Sequence, residues 1–471
     1  MKKRTFKQDL FILLCCFVIS RVIVKLLGVS FDFNALYEYW QYLDVTSLSN
    51  NLLQSLWYQH SQPPVFNLLL GIVLKCSGNY VQPVMESLLI IITFCNGLFL
   101  LCILRAILYK RNLSLIFSLL YVLSPATILF ENELFYTTFL SFLLLMSVFY
   151  IVKFNNRQSW QNVMGIFVSL SLVCLTKSMY HIIWLVAISG ILLFARCRKN
   201  GFNKILIGAF FSIMAVGGWY LKNYWIFGSF SASSWTGMNL SRVVFQNIEI
   251  KDTTTIASVH PFLPIANYKN YISDEYKIKY IGINDRILLD ETKNDHFINM
   301  NNAGFLDVST KYMDACVRQV QAHPVSYLKN VSTAFIIFFT PASSYFKVKD
   351  NNHRMRYYDM IYSFNPSHIF DDKQQMKQSL ALAAVPKFLI YCFVFFIVVR
   401  NSLRATYFPV FNIFIIATIL FTLVVSSLFE YGENMRFRYE IEPLFLIVAA
   451  QAVASIKRYA NNEVEGTEGI G

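Results

Sequence analysis

Charged side chains stand at the edges of long apolar runs in this sequence, and their types limit the chemistry that they could perform. The densest group is the stretch 430–440, which contains Arg436 and Arg438 and comes directly before an apolar run. An arginine side chain offers a planar fork of N–H donors that matches a phosphate group. Both arginines are therefore candidate phosphate ligands, and the alternative is that they anchor the protein to lipid headgroups.

A carboxylate follows the first apolar run. Asp32 stands in the segment Ser-Phe-Asp-Phe-Asn at positions 30–34. An ionised carboxylate close to a substrate hydroxyl can accept its proton as a general base. The alternatives for Asp32 are a helix N-cap and a solvated loop residue.

Polar residues also occupy further turns between apolar runs. His60 precedes Pro63 and Pro64, which explain the segment as a helix start, although the histidine could also hydrogen-bond a phosphate. Glu131 and Glu133 share one short turn, where they could hold a divalent cation or orient a substrate. Simple solvation of the turn is the alternative for the two glutamates.

Two cations occupy positions where a charge is costly. Lys177 stands at the end of an apolar run, where it could extend to the surface or bind an anion. Arg21 lies within the first apolar run, so it should pair with an acid or with a lipid phosphate.

The composition defines the elements that must position these residues. Of the 471 residues, 55% are hydrophobic and only 15% are charged, against about 25% charged in a typical soluble domain. The formal net charge of +13 does not indicate a nucleic-acid partner, because the basic residues come in short groups between apolar runs rather than on one soluble face. The sequence therefore predicts an all-α polytopic membrane protein.

Membrane-spanning helices need about 20 mainly apolar residues. We predict about ten spans on this criterion. They lie near 9–28, 84–108, 113–131, 134–152, 161–179, 181–196, 204–226, 380–399, 407–429 and 441–456. The first is long and carries Arg21 and Lys25, which favours a retained signal anchor over a cleaved signal peptide.

The distribution of basic residues predicts the orientation. They gather at the N-terminus and in the alternate turns near 105–111, 153–157, 196–204, 400–404 and 457–458. Because basic turns stay in the cytoplasm, both termini are predicted to be cytoplasmic. The segments 65–76 and 331–340 are too short to span, so we predict interfacial or re-entrant helices there.

These elements divide the chain into regions. Residues 1–230 form an N-terminal transmembrane module with a first external loop at 29–83. Residues 231–379 form an external region with interfacial helices, and its stretch 251–302 is polar. Residues 380–460 return to the membrane, and residues 461–471 form a flexible tail.

The ordered set of motifs resembles the C-type glycosyltransferases that use polyprenyl-phosphate sugars. It is most similar to the dolichyl-phosphate-mannose–protein mannosyltransferase-like branch of bacterial membrane enzymes. The matching features, in chain order, are Arg21, Asp32, the proline pair with His60, the acidic turn with Glu133, and the basic turn before the last span. The resemblance covers about the first 230 residues and that basic turn.

The resemblance implies transfer of a sugar, with inversion, from a polyprenyl-phosphate donor at the non-cytoplasmic face. Asp32 would be the base, and Glu133 would organise the acceptor or a divalent cation. Arg21, His60, Lys177, Arg436 and Arg438 would bind the donor phosphate. The acceptor would be a glycan, a lipid or a protein, and the implied location is a bacterial inner membrane.

The sequence also departs from the family. Phe33 follows Asp32 where an acid is usual, and Ser61 and Gln62 interrupt the histidine–proline element. Trp235 could stack on a sugar, although we favour an interfacial anchor. The alternative functions are a transporter or flippase for lipid-linked glycans and a non-enzymatic assembly partner. Transporters commonly have repeated halves and midplane charges, which this sequence lacks.

Overall fold

The computed structural model of the chain describes residues 5–108, 111–194, 199–246, 286–294, 296–370, 372–404 and 409–467. Within the predicted polar stretch 251–302, residues 251–285 and residue 295 lie outside the described residues. Residues 468–471 of the predicted tail, and the predicted cytoplasmic residues Lys110, Arg196 and Arg198, also lie outside them.

The N-terminal part of the chain folds into successive helices. Their bounds are α1 Phe6–Leu26, α2 Ala35–Glu38, α3 Val45–Asn50, α4 Leu52–Trp57, α5 Val65–Ser77, α6 Val81–Ile107, α7 Arg111–Val122, α8 Pro125–Glu131, α9 Thr137–Asn156, α10 Trp160–Thr176, α11 Ile182–Phe194 and α12 Lys199–Phe227.

The remainder is also helical. Its elements are α13 Thr236–Val244, α14 Arg286–Leu289, α15 Gly304–Ala322, α16 Pro324–Phe339, α17 Lys349–Arg354, α18 Arg356–Ser363, α19 Lys373–Arg404, α20 Val410–Phe429, α21 Asn434–Glu440 and α22 Glu442–Thr467, with 3₁₀ turns at Gly78–Tyr80, Ala342–Ser344, Phe346–Val348 and Pro366–Ile369. Within the described ranges, β pairing is limited to isolated bridges, so the all-α prediction is confirmed.

The number of membrane spans is supported only in part. Among the described residues, five helices are long and apolar enough to cross a membrane, or up to seven if each of two bent helix pairs counts as one span. The bent pairs are α7 with α8 and α21 with α22, and α5 continues through a 3₁₀ turn into α6 as one 43-residue candidate. The predicted spans at 161–179 and 181–196 correspond to α10 and α11, which are shorter apolar helices.

The apolar helices pack around a common core. Helix α6 contacts α7 and α9, α9 contacts α10, and α12 contacts both α10 and α11. The interior side chains are mainly leucine, isoleucine, valine and phenylalanine, as expected where apolar surface is buried between helices. This bundle holds the outer turns between its helices in fixed positions.

Arg21 is a partly buried charge of this bundle, and it pairs with an acid as the sequence predicts. Its Nη2 lies 2.6 Å from Oε2 of Glu131, and its Nε lies 3.0 Å from Oε1. The Nη1 group donates to the carbonyl of Val122 at 2.6 Å. All three guanidinium nitrogens of Arg21 therefore have acceptors within the protein. These contacts join α1 to the end of α7, at Val122, and to the end of α8, at Glu131.

The external region packs on the outer ends of the bundle. Helix α13 lies against α15, and Gly237 of α13 approaches the backbone of Ser309 so closely that an added Cβ would overlap the Ser309 carbonyl oxygen. Helix α16 contains most of the predicted short segment 331–340 and contacts α19, α20 and α21. The region from residue 231 onward is therefore attached to the same bundle ends that hold Arg436 and Arg438.

We expect Gly237→Ala to destabilise the protein, because the methyl group would meet backbone atoms that cannot rotate away. Overpacking of this kind costs about 1–3 kcal/mol, measurable as a lower thermal unfolding midpoint of the detergent-solubilised protein. The matched control is Gly218→Ala in α12, where an added Cβ meets no described atom within 4 Å. A Gly237→Ala midpoint equal to that of the control would contradict the close approach of α13 to α15.

Candidate active site

A cavity of about 760 Å³ lies where the outer turns converge. Its walls come from 38–41, from 135–136, from 177–183, from the external region at 231–242 and 345–347, and from 421–437. All of these segments belong to the side that the charge pattern predicts to be non-cytoplasmic. The charged lining residues are Glu38, Lys177, Arg242, Lys347, Glu430, Glu433 and Arg436.

Lys177 is held at one wall of the cavity by a buried acid. It directly follows α10, and its Nζ lies 2.6 Å and 2.7 Å from the carboxylate oxygens of Glu440 in α21. The same ammonium group stands 3.4 Å from the ring centre of Phe437. The predicted outer cation thus has a protein partner, and the pair fixes α10 to the turn that carries Arg436.

Arg436 reaches the cavity from α21. Its Nη2 donates to Oε2 of Glu433 at 2.7 Å, and its Nε donates to the same oxygen at 3.2 Å. Its Nη1 has no hydrogen-bond partner in the described structure and lies 3.7 Å from Glu440. A buried N–H without an acceptor is unfavourable. An acceptor atom of a ligand in the cavity would therefore bind favourably to Nη1 of Arg436.

Arg242 comes from α13, in the external region, and shares the acids of the last outer turn. Its Nη1 lies 2.6 Å from Glu430 and 3.3 Å from Glu433. Burial alone would raise the pKa of Glu433, but the charges of Arg436 and Arg242 outweigh it and lower that pKa to about 2. Burial raises the pKa of Glu430, against the attraction of Arg242. Glu433 is therefore ionised and contacts both guanidinium groups.

The two predicted catalytic acids lie together behind the cavity wall. Asp32 and Glu133 form a parallel bridge in which the Asp32 N–H donates to the carbonyl of Asn132 at 2.8 Å. Glu133 is 2% exposed and accepts a 2.6 Å hydrogen bond from the hydroxyl of Tyr39, which does line the cavity. Neither acid is among the lining residues, so Tyr39 connects Glu133 to the cavity.

Burial determines the proton affinity of Glu133. It raises the pKa of this carboxyl group to about 7, because desolvation outweighs the hydrogen bond from Tyr39 and the charge of Arg436. The Glu133 Oε2 atom has no hydrogen-bond partner in the described structure. Asp32 is less buried, and its Oδ1 accepts from the backbone N–H of Asn34 at 3.1 Å.

The other predicted phosphate ligands are occupied elsewhere. Arg21 is paired with Glu131 in the core, as described above. Arg438 donates to the carbonyls of Phe338 and Thr340 at 2.9 Å and 3.3 Å and forms an ion pair with Glu442. None of these residues lines the cavity.

His60 connects the first external loop to the external region. Burial, together with the charge of Lys222, lowers its pKa to about 3. The neutral ring lies with Nε2 2.9 Å from the carbonyl of Asn301 and Nδ1 2.8 Å from the hydroxyl of Ser234. Since a carbonyl only accepts, Nε2 carries the proton and Nδ1 accepts from Ser234.

Comparison with protein-family models, characterised proteins and solved structures gives no match. Any functional conclusion therefore depends on the geometry of the site.

The structure brings residues to the cavity that the sequence did not single out. Glu38 ends α2 in the first external loop, Arg242 lies in the external region, and Lys347 stands 4.7 Å from the ring centre of Tyr39. The sequence contained one indication of Glu38, because this residue lies close to Asp32 in the same loop. No sequence pattern indicated Arg242 or Lys347, because both lie far along the chain from the other site residues and only folding brings them together.

Trp235 also lines the cavity, and its predicted role as an interfacial anchor is wrong. The side chain is 3% exposed, and its Nε1 donates to the carbonyl of Met300 at 3.3 Å. It packs with Met238, Met300 and Phe305 inside the external region.

The candidate divalent cation has no evident ligand set. In the described ranges, no three His, Cys, Asp or Glu side chains gather as metal ligands. Glu131 and Glu133, the pair considered for a cation, instead have different partners, Arg21 and Tyr39.

We expect the stability difference between Glu133→Gln and the parent protein to depend on pH. An ordinary glutamate titrates near 4.5, whereas folded Glu133 titrates near 7. Protonated Glu133 therefore makes its full contribution to the free energy of unfolding below pH 4.5, and this contribution is lost as the pH rises through about 7. Glutamine removes this titration and keeps an oxygen for Tyr39.

The measurement is the thermal unfolding midpoint in detergent from about pH 5 to about pH 8. The Glu133→Gln protein should gain stability relative to the parent as the pH rises. The control is Glu86→Gln, at a partly exposed acid that pairs with Lys25. Parallel curves for Glu133→Gln and the parent would contradict the assignment.

Proposed function

We propose that this protein is a membrane glycosyltransferase that moves a sugar, with inversion, from a polyprenyl-phosphate donor to an acceptor at the non-cytoplasmic face. The observation that carries the proposal is the cavity in which Lys177, Arg242 and Arg436 face a first-loop carboxylate, Glu38. A cationic region suits the donor phosphate, and a carboxylate suits the acceptor hydroxyl.

The phosphate would bind to Lys177 and Arg436. Both are buried where the effective dielectric constant is low, so their attraction for an anion is stronger than at an open surface. Arg436 has a donor atom, Nη1, that no protein acceptor uses in the described structure. Arg21, His60 and Arg438 are less suitable, because they do not line the cavity.

The lipid part of the donor would lie along an apolar flank. Ile183 at the start of α11 and Phe421, Val425 and Phe429 of α20 line the same cavity as the cations. Ile183 is largely exposed on the outside of the bundle. A prenyl chain at this flank would remain in the apolar phase while its phosphate reached Lys177.

Glu38 is the proposed base, in place of Asp32. Its carboxylate would take the proton of the acceptor hydroxyl as that oxygen forms a bond to the anomeric carbon. The bond from this carbon to the phosphate oxygen would break, and its electron pair would leave with the polyprenyl phosphate. Lys177 and Arg436 would stabilise the negative charge that develops on the phosphate.

The remaining aspects of the proposal follow the family resemblance. The compartment would be a bacterial inner membrane with the cavity outward, and membrane lipid would surround the apolar helices. The cationic side chains of the cavity would bind the phosphate alone or together with a divalent cation.

We expect Glu38→Gln to lower the rate of sugar transfer by about a hundredfold or more, because loss of a general base typically costs that much. Asp32→Asn should lower it by less than about tenfold, because Asp32 acts only through the backbone bridge to the Glu133 turn. The measurement is transfer from a short-chain polyprenyl-phosphate hexose, with release of polyprenyl phosphate as a second readout.

The control for this experiment is Glu86→Gln, an acid on α6 that does not line the cavity. A large loss in Asp32→Asn with normal turnover in Glu38→Gln would reassign the base to Asp32. A parent protein that moves the intact lipid-linked sugar across vesicles without releasing polyprenyl phosphate would be a transporter and would overturn the proposal.

A further inference from the structure

Three carboxamide side chains line the same cavity as Glu38. Gln41, Gln62 and Asn239 all line it, from the first external loop and from α13. In the part of the chain that the structure describes, none of their side-chain amides hydrogen-bonds to protein. Gln62 is only 8% exposed, so its amide has few water partners other than those within the cavity. A nearly buried amide without a protein partner, such as that of Gln62, indicates a polar ligand.

Indole rings accompany these amides. Trp40 and Trp235 line the same cavity, and Trp40 packs against the apolar cluster that contains Trp235. The hydrogen bond from Trp235 Nε1 to the Met300 carbonyl fixes the orientation of its ring. The partly buried Trp40 therefore offers an aromatic surface to the cavity, while Trp235, which is 3% exposed, belongs mainly to the packed cluster.

The two features match one chemical class. A sugar hydroxyl both donates and accepts a hydrogen bond, and a carboxamide side chain offers both functions. The C–H face of a pyranose ring is apolar and packs on an aromatic surface. A phosphate would instead favour the cationic wall at Lys177 and Arg436, and an acyl chain would leave the amides unpaired.

We infer that the wall formed by Gln41, Gln62, Asn239, Trp40 and Trp235 binds a carbohydrate, and that this carbohydrate is the acceptor. The inference rests on the proposed function and names its acceptor class. The acceptor sugar would present one hydroxyl to Glu38, lose that proton to the carboxylate, and gain the transferred sugar on the same oxygen. The polyprenyl phosphate would leave along the apolar flank formed by α11 and α20.

The test begins with binding, which does not require transfer. Saturation-transfer difference NMR would use the detergent-solubilised full chain and the methyl glycosides of glucose, galactose and N-acetylglucosamine. We expect signal on at least one glycoside, with affinity about threefold to tenfold weaker in Gln62→Leu and Asn239→Leu, as for a lost hydrogen bond to a neutral group. Trp40→Ala should weaken it by about tenfold, because it removes the aromatic surface.

The matched control is Gln54→Leu, an exposed glutamine of the same external loop that does not line the cavity. Its affinity should equal that of the parent protein. Gel filtration of each variant excludes misfolding as the cause of a loss of affinity. Gln62 and Asn239 lie in separate elements, so the test remains informative if one of the two variants does not fold.

A second assay separates this inference from the proposed function. The glycoside that binds is offered as the acceptor for a short-chain polyprenyl-phosphate hexose, in parallel with a synthetic peptide and a diacylglycerol. Transfer to the glycoside, with a raised KM in Gln62→Leu, would support the inference. Transfer to the peptide or the lipid alone would overturn it and leave the glycosyltransferase proposal intact.

The remaining outcomes are also decisive. Glycoside binding that is equally strong in Gln62→Leu, Asn239→Leu and Trp40→Ala would place the sugar elsewhere and overturn the inference. Glycoside binding without release of polyprenyl phosphate under any condition would overturn the transfer reaction, and the acceptor role with it.

Discussion

A charge buried at the end of an apolar helix must be neutralised by the protein, and this constraint organises the outer side of the molecule. Lys177 is held by Glu440, and Glu433 holds both Arg436 and Arg242. Removing one member of such a pair leaves the other charge buried, which is far more costly than breaking an exposed ion pair. These pairs join α10, α13 and α21, so the positions of the cations and the shape of the cavity have a common cause.

The same constraint separates structural charges from those available to a ligand. Arg21 and Arg438 use their donors on protein acceptors, which leaves little capacity for a phosphate. Arg436 keeps one donor unused, and Lys347 lies exposed in the cavity wall. Lys177 stands between the two kinds, because Glu440 holds its ammonium group while its side chain also lines the cavity.

The external region completes the site. It supplies Arg242, Trp235 and Lys347 to the cavity, while α15 supports α13 at the contact with Gly237. The residues that α11 and α20 supply to the cavity are mainly apolar, among them Ile183, Phe421 and Val425. A cavity lined by both kinds of side chain favours a ligand with a lipid part and a polar part.

The sequence by itself determined the all-helical class and the segregation of charge to helix ends, and it singled out Lys177 and Arg436, which line the cavity. These follow from local rules, because the cost of placing a charge in lipid applies wherever the residue lies in the fold. It did not determine the number of spans, since α10 and α11 are short and two helix pairs are bent. Only the tertiary structure decided that Glu38, rather than Asp32, lines the cavity. Which way a loop carboxylate faces depends on contacts with residues far along the chain, and no local pattern encodes that choice.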